Sequence, residues 1–263
     1  MRELMGILNV TPDSFSDGGE YMDPAEAVAR AEQLFADGAG IVDVGGESTR
    51  PGATPISADE EWRRVEAVLA GLIPNHPGKI SFDTYHYENV LRANEMGRFI
   101  LNDVTGLQVD QFPNDTLRSI LGKLDIPVIV SHVSPGFTIT QAHAERPCKS
   151  LKDLVFDMHT ICSSLQTWGI SKDRIYLDPG LGFGKTQEVN EQAVELGYYI
   201  PEYPVVIGAS KKRFLGPDRF NLAVNLAVAR RALENEAAIL RVHDVAGHKP
   251  LIDEFNQRDQ AAS

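Results

Sequence analysis

Eight short apolar segments alternate with stretches of helical periodicity, and this alternation restricts the fold of the 263-residue chain more than any other feature. The segments are rich in Ile, Val and Leu and are bounded by turn residues, as buried parallel strands are. We predict strands at residues 3–10, 40–45, 79–83, 99–102, 126–132, 175–178, 204–208 and 238–242.

Amphipathic segments with clear start and stop signals lie between these strands. Asp23 is a suitable N-cap before Pro24, and Gly38 is a natural stop after the first helical segment. Ser57 and Glu60 have the spacing of a capping box. We predict helices at residues 24–37, 57–72, 87–96, 115–124, 150–168, 188–198, 219–234 and 250–257.

The order of these elements predicts an α/β fold, a (β/α)8 TIM barrel with a single domain over residues 1–263. A barrel of this type needs roughly 250 residues, which is close to the length of the chain. A doubly wound open sheet with the same alternation is the structural alternative. Seven of the predicted strands end in polar turns, most of them marked by glycine, and a parallel barrel would gather those ends onto one rim.

Composition and charge exclude several classes of function. The formal net charge is -12 and the pI is about 5.0, which argues against broad binding to nucleic acid or to an anionic membrane. No signal peptide or apolar stretch of membrane-span length is recognisable, so we expect a cytoplasmic protein. The two cysteines, Cys148 and Cys162, have no metal-ligand spacing and indicate no disulfide framework.

Three polar residues lie at the carboxyl ends of separate predicted strands. Asp83, Asn102 and Asp178 would together offer two carboxylates and one amide to a heterocycle that carries several N–H donors. Each could instead cap a neighbouring helix, which is a common role for Asp and Asn. Three such residues beside Lys212 favour the ligand-binding interpretation.

Cationic residues lie at or just after the ends of the last two predicted strands. Lys211, Lys212 and Arg213 could be a solvated charge run, but their place after an apolar strand indicates that one side chain points over the barrel mouth. Arg241 and His243 are two residues apart and therefore face the same side of a strand, where they could bind an anion. With Arg50 they would form a local positive pocket in an acidic protein.

The remaining loops add candidates but no standard phosphate motif. The glycines of 180–184 match neither a P-loop nor a dinucleotide fingerprint, so they mark either a close approach to a ligand or only a tight turn. The loop that begins at Asn9 has the length of a mobile cover, although it could be a simple polar turn. Without a His/Cys cluster of metal spacing, structural zinc is not expected. Magnesium held mainly by a diphosphate remains an option.

Four segments together resemble the dihydropteroate synthase family, in the family's order and across nearly the whole chain. They are MGILNVTPDSFSDGG at 5–19, DVGGESTRPG at 43–52, DPGLGFGKT at 178–186 and RVHDV at 241–245. The resemblance implies a TIM barrel that joins 6-hydroxymethyl-7,8-dihydropterin diphosphate to 4-aminobenzoate and releases diphosphate in folate biosynthesis. It also implies small-molecule substrates, Mg²⁺, sulfonamide binding and a homodimer.

The resemblance assigns roles to matching positions of this sequence. It implies catalytic roles for Asp17, Asp83, Lys212, Arg241 and His243, with Asp17 meeting a developing positive charge. The remaining assignments are the pterin ligands Asp83, Asn102, Asp178 and Lys212, the diphosphate ligands Asn9, Thr49, Arg241 and His243, the aminobenzoate contacts Phe15, Pro51, Phe183, Lys185 and Ser210, and the magnesium ligand Asn9.

Some positions depart from the family pattern. Ser131 stands where the family has an apolar residue, Lys211 where it has Arg, and Arg213 where it has Ser. An ammonium cannot stack on a ring as a guanidinium does, so these changes bear on catalysis and on sulfonamide sensitivity. The alternatives are a divergent pterin-binding paralogue with weak or no condensation activity, a folate methyltransferase-type module, and a non-catalytic binding protein. The role of the 133–149 loop is open.

Overall fold

The protein is an eight-stranded parallel barrel, described in a computed structural model for residues 1–11, 23–48, 53–107, 114–134 and 146–262. Neighbouring strands pair in the order β6-β5-β4-β3-β2-β1-β8-β7. A further parallel bridge between Leu177 and Val205 joins β6 to β7 and closes the ring. The predicted TIM barrel is confirmed, and closure rules out the open doubly wound sheet. The strands are β1 Glu3–Asn9, β2 Ile41–Gly45, β3 Ile80–Asp83, β4 Ile100–Asp103, β5 Val128–Ser131, β6 Ile175–Asp178, β7 Val206–Ile207 and β8 Ile239–Val242.

Helices follow the strands on the outside, and their starts carry the capping residues that the sequence indicated. The Asp23 carboxylate accepts a hydrogen bond from the backbone N–H of Ala25, and the Ser57 hydroxyl accepts one from Glu60. The helices of the described residues are α1 Pro24–Ala36, α2 Ala58–Leu72, α3 Tyr87–Asn94, α4 Asn114–Lys123, α5 Leu151–Thr167, α6 Gln187–Ala193, α7 Leu196–Tyr199, α8 Leu222–Glu234 and α9 Val245–Ala262.

The barrel contains a separate apolar layer of its own. Met5, Ile41, Ile100, Ile129, Val206 and Ile239 pack together inside it, apart from the larger core between strands and helices. Because side chains alternate along a strand, the residue two positions later points to the same interior. The residues so placed above the layer are Ile7, Asp43, Asn102, Ser131, Gly208 and Arg241. Polar groups of distant segments therefore meet at the carboxyl-terminal mouth.

Three element predictions need correction. The helix predicted at 188–198 is two pieces, α6 and α7, interrupted at Val194 and Glu195. The helix predicted from Pro250 begins at Val245, because the Asp244 carboxylate accepts from the Gly247 N–H and supplies the start that we assigned to proline. The strand predicted at 204–208 has only two strand residues in the structure.

None of the helices in the described part of the chain combines the length and the apolar character needed to cross a bilayer.

Candidate active site

A buried ion-pair network spans the barrel mouth. Arg241 on β8 donates from Nε to Asp43 Oδ2 on β2 at 2.6 Å and from Nη2 to Asp83 Oδ2 on β3 at 2.9 Å. The Asp43 side chain is fully buried, and those of Arg241 and Asp83 are 18% and 15% exposed. A planar guanidinium has donors in a fixed fork, which lets a single cation hold two carboxylates from different strands.

Asp43 is a central member of this network, although it is not among the site residues predicted from the sequence. Its carboxylate also accepts from the Ser81 hydroxyl at 2.5 Å and from the amide of Asn102 at 3.2 Å to each oxygen. Asp43 thereby fixes the orientation of Asn102, one of the predicted pterin ligands. The signal was present in the sequence as a charged residue inside the apolar strand Ile41–Gly45.

The network changes the proton affinities of its members. Burial, together with the nearby Asp43 charge, raises the pKa of Asp83 to about 8, although Arg241 opposes the shift. For Arg241, burial alone would lower the pKa, but Asp43 and Asp83 outweigh it and raise the pKa further above its ordinary value. Arg241 is therefore a permanent cation, while Asp83 is a carboxyl group whose charge responds to what binds beside it.

The two carboxylate oxygens of Asp178 have different surroundings: one caps a turn and the other faces the mouth. Its Oδ1 accepts from the backbone N–H of Gly180 at 2.6 Å, which is the turn-capping role. Its Oδ2 faces Gly208, where an added Cβ would lie 3.6 Å from that oxygen and 3.8 Å from Cδ of Arg241. Burial raises the pKa of Asp178, and the Gly180 N–H and Lys212 oppose that rise. Glycine at 208 leaves open space between an acid and a cation at the mouth.

The structure selects Lys212 from the run of three cations. Lys211 and Arg213 are exposed, whereas Lys212 is half-buried. Its Nζ lies 4.7 Å from the centre of the Phe183 ring, a cation–π distance. Burial lowers the pKa of Lys212 to about 8, and Asp178 opposes this shift. One cation of the run therefore points into the site, as predicted, and Phe183 lies beside it.

Lys185 has a different environment from the one we expected of an aminobenzoate contact. Its Nζ donates to the backbone carbonyls of His132, Gly180 and Phe183 at 3.0, 2.9 and 3.1 Å. Burial lowers its pKa to about 7. The ammonium thus joins the end of β5 to the loop after β6, and its three donors are engaged in holding that loop.

Ser210 and His243 form a pair at the ends of β7 and β8. Ser210 Oγ lies 3.0 Å from Nδ1 of His243, and the backbone N–H of His243 donates to the same Oγ at 3.4 Å. The hydroxyl therefore orients the imidazole. The resemblance assigns Ser210 to the aminobenzoate pocket, and in the structure Ser210 contacts His243, which the resemblance assigns to diphosphate.

Asn9 ends β1 on the same rim, with a half-buried side chain. It is in register with Gly45, which in turn is in register with Asp83. An added Cβ at Gly45 would lie 3.5 Å from Cβ of Asp83, so glycine keeps this part of the mouth open. An amide oxygen is a ligand that Mg²⁺ accepts when phosphate oxygens and water supply the others. Asn9 therefore fits a single protein contact to such an ion.

Several predicted positions lie outside the described residues. These are Phe15, Asp17, Thr49 and Pro51, together with most of the 133–149 loop. Ser131, the departure after β5, is buried at 2% exposure and is in register with Asp178.

Comparisons with known proteins agree on one family. A family model described as pterin binding enzyme matches residues 5–243. The dihydropteroate synthase of Streptococcus pyogenes serotype M3 (strain ATCC BAA-595 / MGAS315) is 36% identical over 269 residues, covering 97% of this chain and 94% of that protein. Similar solved structures are the Yersinia pestis dihydropteroate synthase in a sulfonamide drug complex (TM-score 0.86, 30% identity, 98% and 94% coverage) and the Xanthomonas albilineans enzyme with 7,8-dihydropteroate (TM-score 0.80, 30% identity, 100% and 94% coverage).

Proposed function

The chain belongs to the pterin-binding enzyme family, and from this premise we propose that it is a dihydropteroate synthase. The reaction joins the methylene carbon of 6-hydroxymethyl-7,8-dihydropterin diphosphate to the amine of 4-aminobenzoate. Diphosphate leaves and 7,8-dihydropteroate is formed. The protein is then a transferase of folate biosynthesis, and relatives named for this activity match it over nearly their whole length.

The main support for this proposal is that acidic and cationic side chains lie together at the barrel mouth. Arg241 contacts the interior carboxylates Asp43 and Asp83, and Asp178 flanks Gly208 from the other side. Acidic groups suited to a flat ring with N–H donors and a cation suited to an anion therefore occupy the same barrel mouth. The two halves of a pterin diphosphate require this juxtaposition.

The pterin half would be held by side chains that the network orients. The carboxyl groups of Asp83 and Asp178 accept hydrogen bonds from the ring's N–H groups, and the amide of Asn102 can both donate and accept. Lys212 lies over this group with Phe183 at its side. A hydrogen bond from the ring to an ionised carboxylate is stronger than one between neutral groups, and a low local dielectric strengthens it further. Burial of these carboxyl groups therefore favours recognition of the pterin ring.

The diphosphate half would be bound by Arg241, His243, Asn9 and Thr49. Negative charge grows on the diphosphate as the C–O bond breaks, so a cation placed there stabilises the transition state more than the substrate. Mg²⁺ coordinated by diphosphate oxygens, with Asn9 as the protein contact, would neutralise further charge.

Bond breaking is proposed to precede bond making. The electron-rich pterin delocalises the positive charge left on its exocyclic methylene, and 4-aminobenzoate then attacks in an SN1-like displacement with no covalent enzyme adduct. Asp17 would face the developing cation. Phe15, Pro51 and Phe183 would contact the aminobenzoate, while Lys185 would hold the adjoining loop and Ser210 would orient His243. A sulfonamide would compete at the aminobenzoate site, and a sulfonamide drug complex is known for the similar Yersinia pestis enzyme.

A paralogue that binds pterin without efficient condensation is the second candidate. It is favoured by Ser131 beside Asp178 and by the exposed Lys211 and Arg213, the three departures from the family pattern. A folate methyltransferase-type module would not require the Lys212 turn or the Arg241 and His243 pair. We propose further that the protein works as a cytoplasmic homodimer.

A product assay separates these candidates. Purified protein is incubated with pterin diphosphate, 4-aminobenzoate and Mg²⁺, and dihydropteroate and diphosphate are both quantified. A synthase forms them in equal amounts, and an Asp83→Asn variant forms neither at a comparable rate. Diphosphate release without dihydropteroate would identify the paralogue. Absence of both products would contradict the proposal. A pterin covalently attached to protein during turnover, seen by mass spectrometry, would contradict the displacement step.

A further inference from the structure

A second cluster of ionisable side chains lies next to the barrel mouth, and the proposed reaction does not use it. Glu47 follows β2, Glu61 lies on α2, and His86 precedes α3. One ligand atom from each falls within 4.8 Å of the others. The Glu61 side chain is fully buried, and those of Glu47 and His86 are 4% and 11% exposed.

Each carboxylate of this cluster has one oxygen held by hydrogen bonds. Glu47 Oε1 accepts from the Tyr85 hydroxyl at 2.8 Å and from a backbone N–H at 3.3 Å. Glu61 Oε2 accepts from the Thr84 hydroxyl at 2.6 Å and from the Asn89 amide at 2.7 Å. The neighbours thus fix the direction in which the second oxygen of each carboxylate points.

The second oxygen of each carboxylate and the Nε2 atom of His86 have no hydrogen-bond partner within the described part of the chain. Among the described residues, Glu47 Oε2, Glu61 Oε1 and His86 Nε2 are buried without a hydrogen bond. Buried polar atoms without partners are rare, and buried carboxylates without a compensating charge are costly. A protonated His86 would offer Nε2–H to one carboxylate only, and Glu47 Oε2 lies 3.4 Å away, which is long for a charge-assisted hydrogen bond.

That spacing suits a shared metal ion better than a shared proton. Two ligand atoms bound to one tetrahedral Zn²⁺ at about 2.0–2.1 Å lie roughly 3.3–3.4 Å apart. One imidazole nitrogen and two carboxylate oxygens are ligands that first-row divalent ions such as Zn²⁺ and Mn²⁺ accept. Hydrogen bonds from Tyr85, Thr84 and Asn89 resemble the outer contacts that orient metal ligands.

We propose that Glu47, Glu61 and His86 form a site for a divalent transition-metal ion, separate from the magnesium contact at Asn9. The ion joins the loop after β2 to α2 and to the start of α3. Glu47 is the second residue after that strand, two positions before Thr49, so the ion fixes the beginning of a loop assigned to diphosphate and aminobenzoate. Three protein ligands leave a coordination position for water.

Metal binding by the full-length protein tests this directly. Chelator-treated protein is titrated with Zn²⁺ by calorimetry, and metal content after dialysis is measured by mass spectrometry. We expect one ion per chain, with affinity at least tenfold lower in Glu61→Gln and in His86→Gln. His76→Gln is the matched control, because His76 pairs with Glu32 at the surface and should leave the stoichiometry unchanged.

The wild-type protein supplies the measurement that does not depend on variants. An anomalous-difference map at the zinc edge, from crystals grown with one equivalent of Zn²⁺, should place the ion among the three named atoms. Tyr85→Phe should weaken binding by about 10–100-fold, the usual effect of losing an outer contact. An ion located elsewhere, or affinity unchanged in Glu61→Gln, would overturn the proposal. A map in which Glu47, Glu61 and His86 are well ordered but no zinc is bound would also overturn it.

Discussion

The guanidinium of Arg241 donates a hydrogen bond from Nη2 to Oδ2 of Asp83 at 2.9 Å. These residues lie 158 positions apart in the chain, on β8 and β3. One was predicted to bind a departing diphosphate and the other a pterin ring. Their contact means that both halves of the substrate would meet the same network, and that binding of one half changes the electrostatic surroundings of the other.

Removal of Arg241 should destabilise the fold as well as abolish catalysis. Arg241→Ala leaves Asp43 and Asp83 buried without their cation, and breaking a buried pair in this way costs about 3–5 kcal/mol. The double variant Arg241→Ala/Asp43→Asn should recover part of that loss, because one uncompensated carboxylate is removed with it. Urea unfolding of the single and double variants measures the coupling. Additive effects would show that the two residues do not interact.

Two adjacent lysines provide a matched test of pterin recognition. Lys212→Ala should weaken the binding of pterin diphosphate by roughly 10–100-fold. The ammonium of Lys212 is directed into the mouth, so the variant loses both a charge and a hydrogen-bond donor there. Lys211→Ala, which changes an exposed side chain next to it, should leave affinity nearly unchanged. Isothermal calorimetry checks both. Equal effects at the two positions would contradict the assigned orientation.

Burial of Lys212 should appear in the pH dependence of stability. Its pKa is lowered from 10.5 to about 8 in the folded protein, mainly through burial. Between these values the unfolded chain binds more protons, so the free energy of unfolding rises with pH, by roughly 3 kcal/mol across the window. Lys212→Met should lack this contribution. Unfolding of both proteins is measured from pH 8 to 10.5, and parallel curves would count against a depressed pKa.

We expect Gly208 to be required for pterin binding because of the space that it leaves at the mouth, and not because of its backbone conformation. An added Cβ meets ordinary contacts of 3.6–3.9 Å, so Gly208→Ala should change stability by less than about 1 kcal/mol while weakening pterin binding. Gly78→Ala is the converse control. Its φ of +73° makes the substitution strained, by about 1–2 kcal/mol, and Gly78 precedes β3 at the end of the barrel opposite the mouth. Gly208→Ala should lower pterin affinity with little change in Tm, whereas Gly78→Ala should lower Tm with little change in pterin affinity.

The contact between Ser210 and His243 separates two roles for the serine. Ser210→Ala removes the hydroxyl that orients the imidazole. Loss of one hydrogen bond of about 1–1.5 kcal/mol should lower turnover about tenfold, with little change in the KM for 4-aminobenzoate. Steady-state kinetics with each substrate varied in turn makes the distinction. A raised KM for 4-aminobenzoate at unchanged turnover would instead support the aminobenzoate-pocket role that the resemblance implies.

The strand framework was predictable because buried parallel strands carry their own pattern. Strand β6 was predicted with its observed bounds, Ile175–Asp178, since apolar residues and a turn signal delimit it. The short β7 was overestimated, because Pro204 and Val205 are apolar like strand residues, yet Val205 forms only an isolated bridge to Leu177 outside the strand. The period-two rule also predicted that Arg241 and His243 lie on the same side.

Side-chain partners could not be predicted in the same way, because they depend on distances between segments. Nothing local distinguishes a Lys185 that holds three backbone carbonyls from one that meets a ligand. Glu61 lies within an amphipathic helix, where its burial becomes evident only once α3 is packed beside it. The general location of the site was therefore predictable, and its internal hydrogen bonding was not.

The structure of the protein with 6-hydroxymethyl-7,8-dihydropterin diphosphate bound is the most direct test of the shared mouth. We expect the pterin edge to lie against Asp83, Asn102 and Asp178, with the diphosphate beside Arg241 and His243 in the same cavity. A ring bound at the opposite end of the barrel, or a diphosphate turned away from Arg241, would contradict it.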